Sequence, residues 1–138
     1  MIARVAPPEH FAWLLERNHL IAGPDFRAIE VVDAAGLTRA MAGFFYWTPN
    51  SVQATLFADS PAALRALSGP FFSYPFEECG RGVLIALLPS HSQALPIAMR
   101  SGFRPMHRVR DGYAEGDDMV LLEMRREECR WLKQREAA

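Results

Sequence analysis

The spacing of apolar residues changes several times along the chain, and each change marks an element. From Pro7 to Leu20, Phe11, Leu14 and Leu15 recur at helical spacing, and a proline suits a first helical turn, where the amide it lacks has no partner anyway. One amphipathic helix is predicted there. From Phe26 the period falls to two through RAIEVVD, LTRAMAGFFYW and SVQATLFAD, broken at Ala34-Ala35-Gly36 and Thr48-Pro49-Asn50. Three strands in an antiparallel meander follow from that alternation. Ser60-Pro61 starts a second helix, with serine as cap and proline in the first position. Gly69-Pro70 is expected to end it, leaving a further short helical piece to carry Phe71, Phe72 and Phe76 toward the core.

Val83 to Leu88 is continuously apolar, which suits a strand covered on both faces. Pro89 stops it, and Ser90 or Ser92 can cap a helix, with Pro96 placing the start of its regular part near Leu95 or kinking it. Gly102 is expected to end that helix in the left-handed conformation, with Phe103 folding back onto its last turn. Two strand-like runs around a Gly- and Asp-rich segment then predict a hairpin. In its second run Val120, Leu122 and Met124 make one face wholly apolar, and Met119, Leu121 and Glu123 make the other mostly so, which places that strand centrally. Arg126 to Leu132 reads as a short C-terminal helix with Cys129 and Leu132 on one side. The order as a whole is that of an α+β domain built on a mixed sheet.

At 138 residues, 50% of them hydrophobic, the chain supports one core, and residues 1–138 are read as a single domain. A formal net charge of −1 gives no field to gather nucleic acid or an acidic membrane. Arg100, Arg104, Arg108 and Arg110 could meet an anion, but Asp111, Glu115, Asp117 and Asp118 beside them oppose a phosphate backbone. Cys79 and Cys129 lack Cys-x-x-Cys spacing, so neither a disulfide framework nor a metal site is signalled. No apolar run is long enough to span a bilayer, and no leader pattern opens the chain, which predicts a cytoplasmic protein. Phe44 and Trp47 are expected on opposite sides of the third strand.

This order of elements, with the Gly-Phe pair at 102–103, resembles the GNAT acyltransferase superfamily. The segments AMAGFFYWTPNSVQATLFADSP and GFRPMHRVRDGYAEGDDMVLLEMRREECRWL look like a GNAT-like branch found in phages and prophages. The resemblance implies an N-terminal helix, a three-strand meander, a crossover helix, a splayed parallel strand pair and a closing hairpin. It also implies acetyl-CoA as cofactor, with the pantetheine arm along Leu56, Phe57 and Ala58. The pyrophosphate would sit on the amides that follow Ser60, from Ala62 and Ala63 through Leu64 to Arg65. The chain departs from the pattern in three places. It has no glycines in DSPAALRAL, it has Ala98 where many members carry a catalytic tyrosine, and it has His91 where most have asparagine. His91 then becomes a cofactor contact or proton shuttle, and Glu30 a general base, with Asp59, His107 and Tyr113 as further candidates. The implied function is acetyl transfer to an unidentified amine by direct attack, in a monomer or a homodimer paired through its closing strands. The alternative is an inactive GNAT-like phage or prophage protein that binds or assembles.

Overall fold

The computed structural model describes residues 1–132. Seven strands, β1 (Ile2–Val5), β2 (Arg27–Val32), β3 (Thr38–Phe45), β4 (Ser51–Ala58), β5 (Val83–Pro89), β6 (Arg104–Ala114) and β7 (Asp117–Arg125), form one sheet ordered β1-β2-β3-β4-β5-β7-β6. All neighbours are antiparallel except β4 and β5. Helix α1 (Ala12–Asn18) covers one face at β3 and β4, while α2 (Pro61–Ser73) and α3 (Ala94–Ser101) cover the other. The expected α+β architecture, meander, crossover and closing hairpin are all present, and β7 is central, between β5 and β6.

The main core lies under α2, where Phe44, Val52, Leu67, Phe76, Leu84 and Leu122 are fully buried. A smaller one lies under α1 around Leu14, Phe26, Ala28 and Met41. Period two along β2 and β3 creates both, since alternate residues serve opposite faces.

Four local expectations change. β1 has no alternation to announce it, and it forms because β2 offers an edge from Ile29 to Val32. Gly69-Pro70 does not end α2, which runs on to Ser73 and into a π turn at Tyr74–Glu78. Burial of Leu67, Phe71 and Phe72 on one face offsets the roughly 3 kcal/mol that an internal proline costs. Phe44 and Trp47 are not on opposite sides, because β3 ends at Phe45 and the chain turns Trp47 to within 6.4 Å of the Phe44 ring, with Tyr74 against both. Arg126–Glu128 is a single 3-10 turn, and helix begins only at residue 130.

Other local readings hold. α3 begins at Ala94, so Pro96 sits in the first turn, where no intrahelical bond is lost. Gly102 adopts φ 113°, Phe103 donates its amide to the Ala98 carbonyl at 3.1 Å, and the Phe103 ring is buried. β6 is exposed along its length, bulged between Pro105 and His107 and again beyond Val109, and forms one edge of the sheet.

Candidate functional site

β4 and β5 pair only from Ser51/Val83 to Gln53/Ile85 and then part. β5 itself continues to Pro89 on β7, so the opening is bounded by intact strands. The direction of the free backbone groups follows from the β3–β4 ladder. Asp59 donates its amide to the Arg39 carbonyl, so residues 57 and 55 also bond toward β3. The N–H and C=O groups of Leu56 and Ala58 therefore point the other way, into the opening. Asn18, the last residue of α1, reaches across and donates Nδ2 to the Thr55 hydroxyl at 2.7 Å and to the Leu56 carbonyl at 3.1 Å. At the same mouth Trp13 packs edge-on against Phe57, and the Arg17 guanidinium lies 4.0 Å over the Trp13 ring.

On the α1 face, strand register aligns Gln53, Ile85, Glu123 and Arg104 in one row, and Leu87, Leu121 and His107 in the next. α1 packs over β3 and β4, and Ile85, Leu87, Leu121 and Glu123 are only half-buried. Ile85, Leu87 and Leu121 thus make an apolar strip of the sheet beside the opening, with the Glu123 carboxylate next to it. Glu123 has an oxygen 3.8 Å from Arg125 Nε and, among the described residues, no other hydrogen-bond partner. Sequence reasoning missed Asn18, Thr55 and Glu123 as site residues. Only Glu123 left a trace, as the polar residue on an otherwise apolar strand face.

The expected pyrophosphate site looks different. The Ser60 hydroxyl accepts from the Ala63 amide at 3.1 Å, and the Ser60 carbonyl accepts from Leu64 at 3.0 Å. Pro61 has no N–H, and the Arg65 amide belongs to the helical ladder. Of the amides from Pro61 to Arg65, only that of Ala62 has no partner among the described residues. Ala63 is fully buried in the core, so its side chain cannot face a ligand. The opening thus fits the amide arm of a pantetheine thioester, and the end of α2 does not fit a diphosphate.

Neither expected catalytic residue stands at the opening. Glu30 lies two strands away on β2, fully buried, and accepts from Arg4 Nε, His10 Nδ1 and Thr38 Oγ1 at 2.9–3.0 Å. A carboxylate so surrounded holds the β1 edge and has no lone pair aimed at a substrate. Burial would raise its pKa, but hydrogen bonds from His10, Arg4 and Thr38 outweigh that and hold it below the ordinary 4.5. Its stabilisation is therefore complete above pH 4.5 and lost as pH falls through the lowered value. Replacing Glu30 with Gln should cost about 2 kcal/mol at neutral pH, since one carboxylate then no longer serves three donors. The gap to the wild type should narrow in acid, which urea titrations at several pH values will read.

His91 sits in the β5–α3 turn and faces the hairpin, 3.6 Å from Asp117 and edge-on to Tyr113, on the side of β5 away from β4. Tyr113 is thereby accounted for, and Asp59 is paired with Arg39 at 2.6 Å. Ala98 packs against the core, so α3 offers no acid at that position. In the arginine cluster Arg104 pairs with Glu128 and Arg108 with Asp118, consistent with a solvated surface. A groove of about 390 Å³ lined by Leu95, Met99, Met106 and Arg108 lies between α3 and β6, two strands from the opening. Among the described residues no helix is long and apolar enough to cross a membrane.

Sheet order, parted strands and crossing helices together define the GNAT fold. The described chain shares it with structures of spermidine N-acetyltransferase SpeG from Vibrio cholerae. One single-residue variant superposes with a TM-score of 0.77 at 11% identity, covering 97% of this chain and 99% of that one. Variant forms of the same organism's spermidine/spermine N-acetyltransferase SpeG give 0.75 at 10% identity, over 96% and 97%. The dodecameric spermidine N-acetyltransferase from Vibrio cholerae in an intermediate state gives 0.73 at 10% identity, over 91% and 93%. No protein-family model matches the sequence, and no curated relative matches it.

Proposed function

We propose that this protein is an N-acyltransferase that moves an acetyl group from a thioester of the acetyl-CoA class to an amine by direct attack. The observation that carries this reading is the parting of β4 from β5 after Gln53/Ile85, with the polar groups of Leu56 and Ala58 turned into the gap. A thioester bound there supplies an acyl carbon to which the amine forms a C–N bond as the C–S bond breaks. Leu56 and Ala58 hold the amide arm as a further strand would be held. Asn18 fixes the Leu56 carbonyl, so the gap keeps its width before the donor arrives. The amine approaches along the strip of Ile85, Leu87 and Leu121, against which its apolar part packs. Glu123 accepts the proton that the amine must lose, through one water, since it stands two strands from β4. The departing thiolate takes its proton from solvent, because Ala98 offers none.

The structural neighbours are enzymes, which favours this reading over an inactive binding or assembly protein. Replacing Ala58 with Pro tests it, since the change removes an N–H that faces the gap and leaves the β3 ladder whole. The donor KM should rise about tenfold while the melting temperature moves little. If the wild type neither binds a thioester donor nor releases thiol with any of a broad panel of amines, the reading is wrong.

A further inference from the structure

The β4 opening and the start of α2 make opposite offers to a donor that would span them. At the opening, the amides of Leu56 and Ala58 and the Ala58 carbonyl have no partner among the described residues, and the Leu56 carbonyl, which accepts from Asn18, keeps a second lone pair. At the start of α2, every backbone donor that could bind a diphosphate is engaged among the described residues except the Ala62 amide, and one amide cannot hold two phosphates. Pro61 supplies no donor, Ser60 Oγ occupies the Ala63 amide, and Ser60 O occupies the Leu64 amide. The methyl of Ala63 is turned into the core, so the helix end cannot shift to free that amide without unpacking it. A carboxylate also stands immediately before the cap, where Asp59 pairs with Arg39 at 2.6 Å, and any phosphate brought to the cap would compete with it for that cation. Arg65 is the single cation of the first turn, exposed and without the fixed geometry that two phosphates require.

We infer that the donor is recognised through its pantetheine arm alone, and that a nucleotide diphosphate at the far end of that arm adds no affinity. The donor class is acyl thioesters on a pantetheine arm, whether or not a nucleotide follows. This inference rests on the acyltransferase reading above and refines which part of the donor the chain reads.

The test compares wild-type protein with acetyl-CoA and with S-acetylpantetheine, by calorimetry and by transfer kinetics on one acceptor amine. The two donors should agree in Kd and in kcat/KM within about threefold, a difference under 1 kcal/mol. The nucleotide fragment alone should not compete with either. Acetyl-CoA binding about thirtyfold more tightly than S-acetylpantetheine would overturn the inference and leave the acyltransferase reading standing. Binding of neither donor would remove the acyltransferase reading and this inference with it. A second arm uses Ser60→Ala, which releases the Ala63 amide at a cap cost of about 1 kcal/mol. It should tighten acetyl-CoA about tenfold and leave S-acetylpantetheine unchanged, since an amide bonded to a charged oxygen gains more than a neutral pair. An equal response of both donors would overturn the inference.

Discussion

Replacing Glu123 with Gln is expected to lower kcat at neutral pH about a hundredfold, the usual contribution of a positioned general base. The two side chains match in size, and Glu123 is not in the core, so the melting temperature should hold. Donor KM should also hold, because Leu56 and Ala58 are untouched. The pH dependence separates catalysis from structure. An amine substrate loses its proton unaided as the medium becomes alkaline, so the variant should close on the wild type as pH rises. A purely structural role for Glu123 would leave the ratio flat. Among the acidic groups on this face, Glu30 is fully engaged by three side chains and Asp59 is held by Arg39, so neither can substitute.

The second large effect concerns Gly43. A methyl group on this β3 residue would lie 2.4 Å from Phe26 Cζ and 2.9 Å from Leu14 Cδ2. Leu14 is fully buried and Phe26 is wedged between Phe11 and Phe45, so neither can retreat without opening the smaller core. Gly43→Ala should therefore destabilise the fold by about 3 kcal/mol, the upper range for an overpacked core. That corresponds to roughly 10 °C in melting temperature for a chain of this length. Because α1 would be lifted, Asn18 should lose its hold on Leu56, and donor affinity should fall in the protein that remains folded. Denaturant titration together with donor binding will read both. A shift below about 0.5 kcal/mol would mean that α1 is free to move, and that its packing does not set the width of the gap.

Much of the fold was legible because its signals are local. Ser60-Pro61 announced α2, the unbroken apolar run announced β5, and Gly102-Phe103 closed α3 as such pairs do. β1 escaped because four mostly exposed residues carry no alternation, and only the β2 edge makes them a strand. α2 outran its Gly-Pro signal because burial of Phe71 and Phe72 outweighed a local preference. The candidate site was less legible, because its parts meet through register. Nothing near Asn18 in sequence reports that it will meet Thr55 and Leu56, 37 and 38 positions on. Glu30 looked available from its strand pattern, yet the three donors that surround it, Arg4, His10 and Thr38, come from three separate segments. His91 was placed by analogy at the cofactor, and the hairpin claimed it instead through Asp117 and Tyr113.

The exposed edge at β6 has a consequence for how the protein behaves when concentrated. A strand of eleven residues with an open side would ordinarily recruit another chain's backbone. Pro105 withholds a donor, the bulge before His107 breaks the spacing of donors and acceptors, and Asp111 at φ 56° turns the chain out of line. A foreign strand would find only short, mismatched stretches to bond. The seven-stranded sheet thus has a built-in stop at that end, and straightening β6 by removing its bulge would turn this boundary into a seed for aggregation.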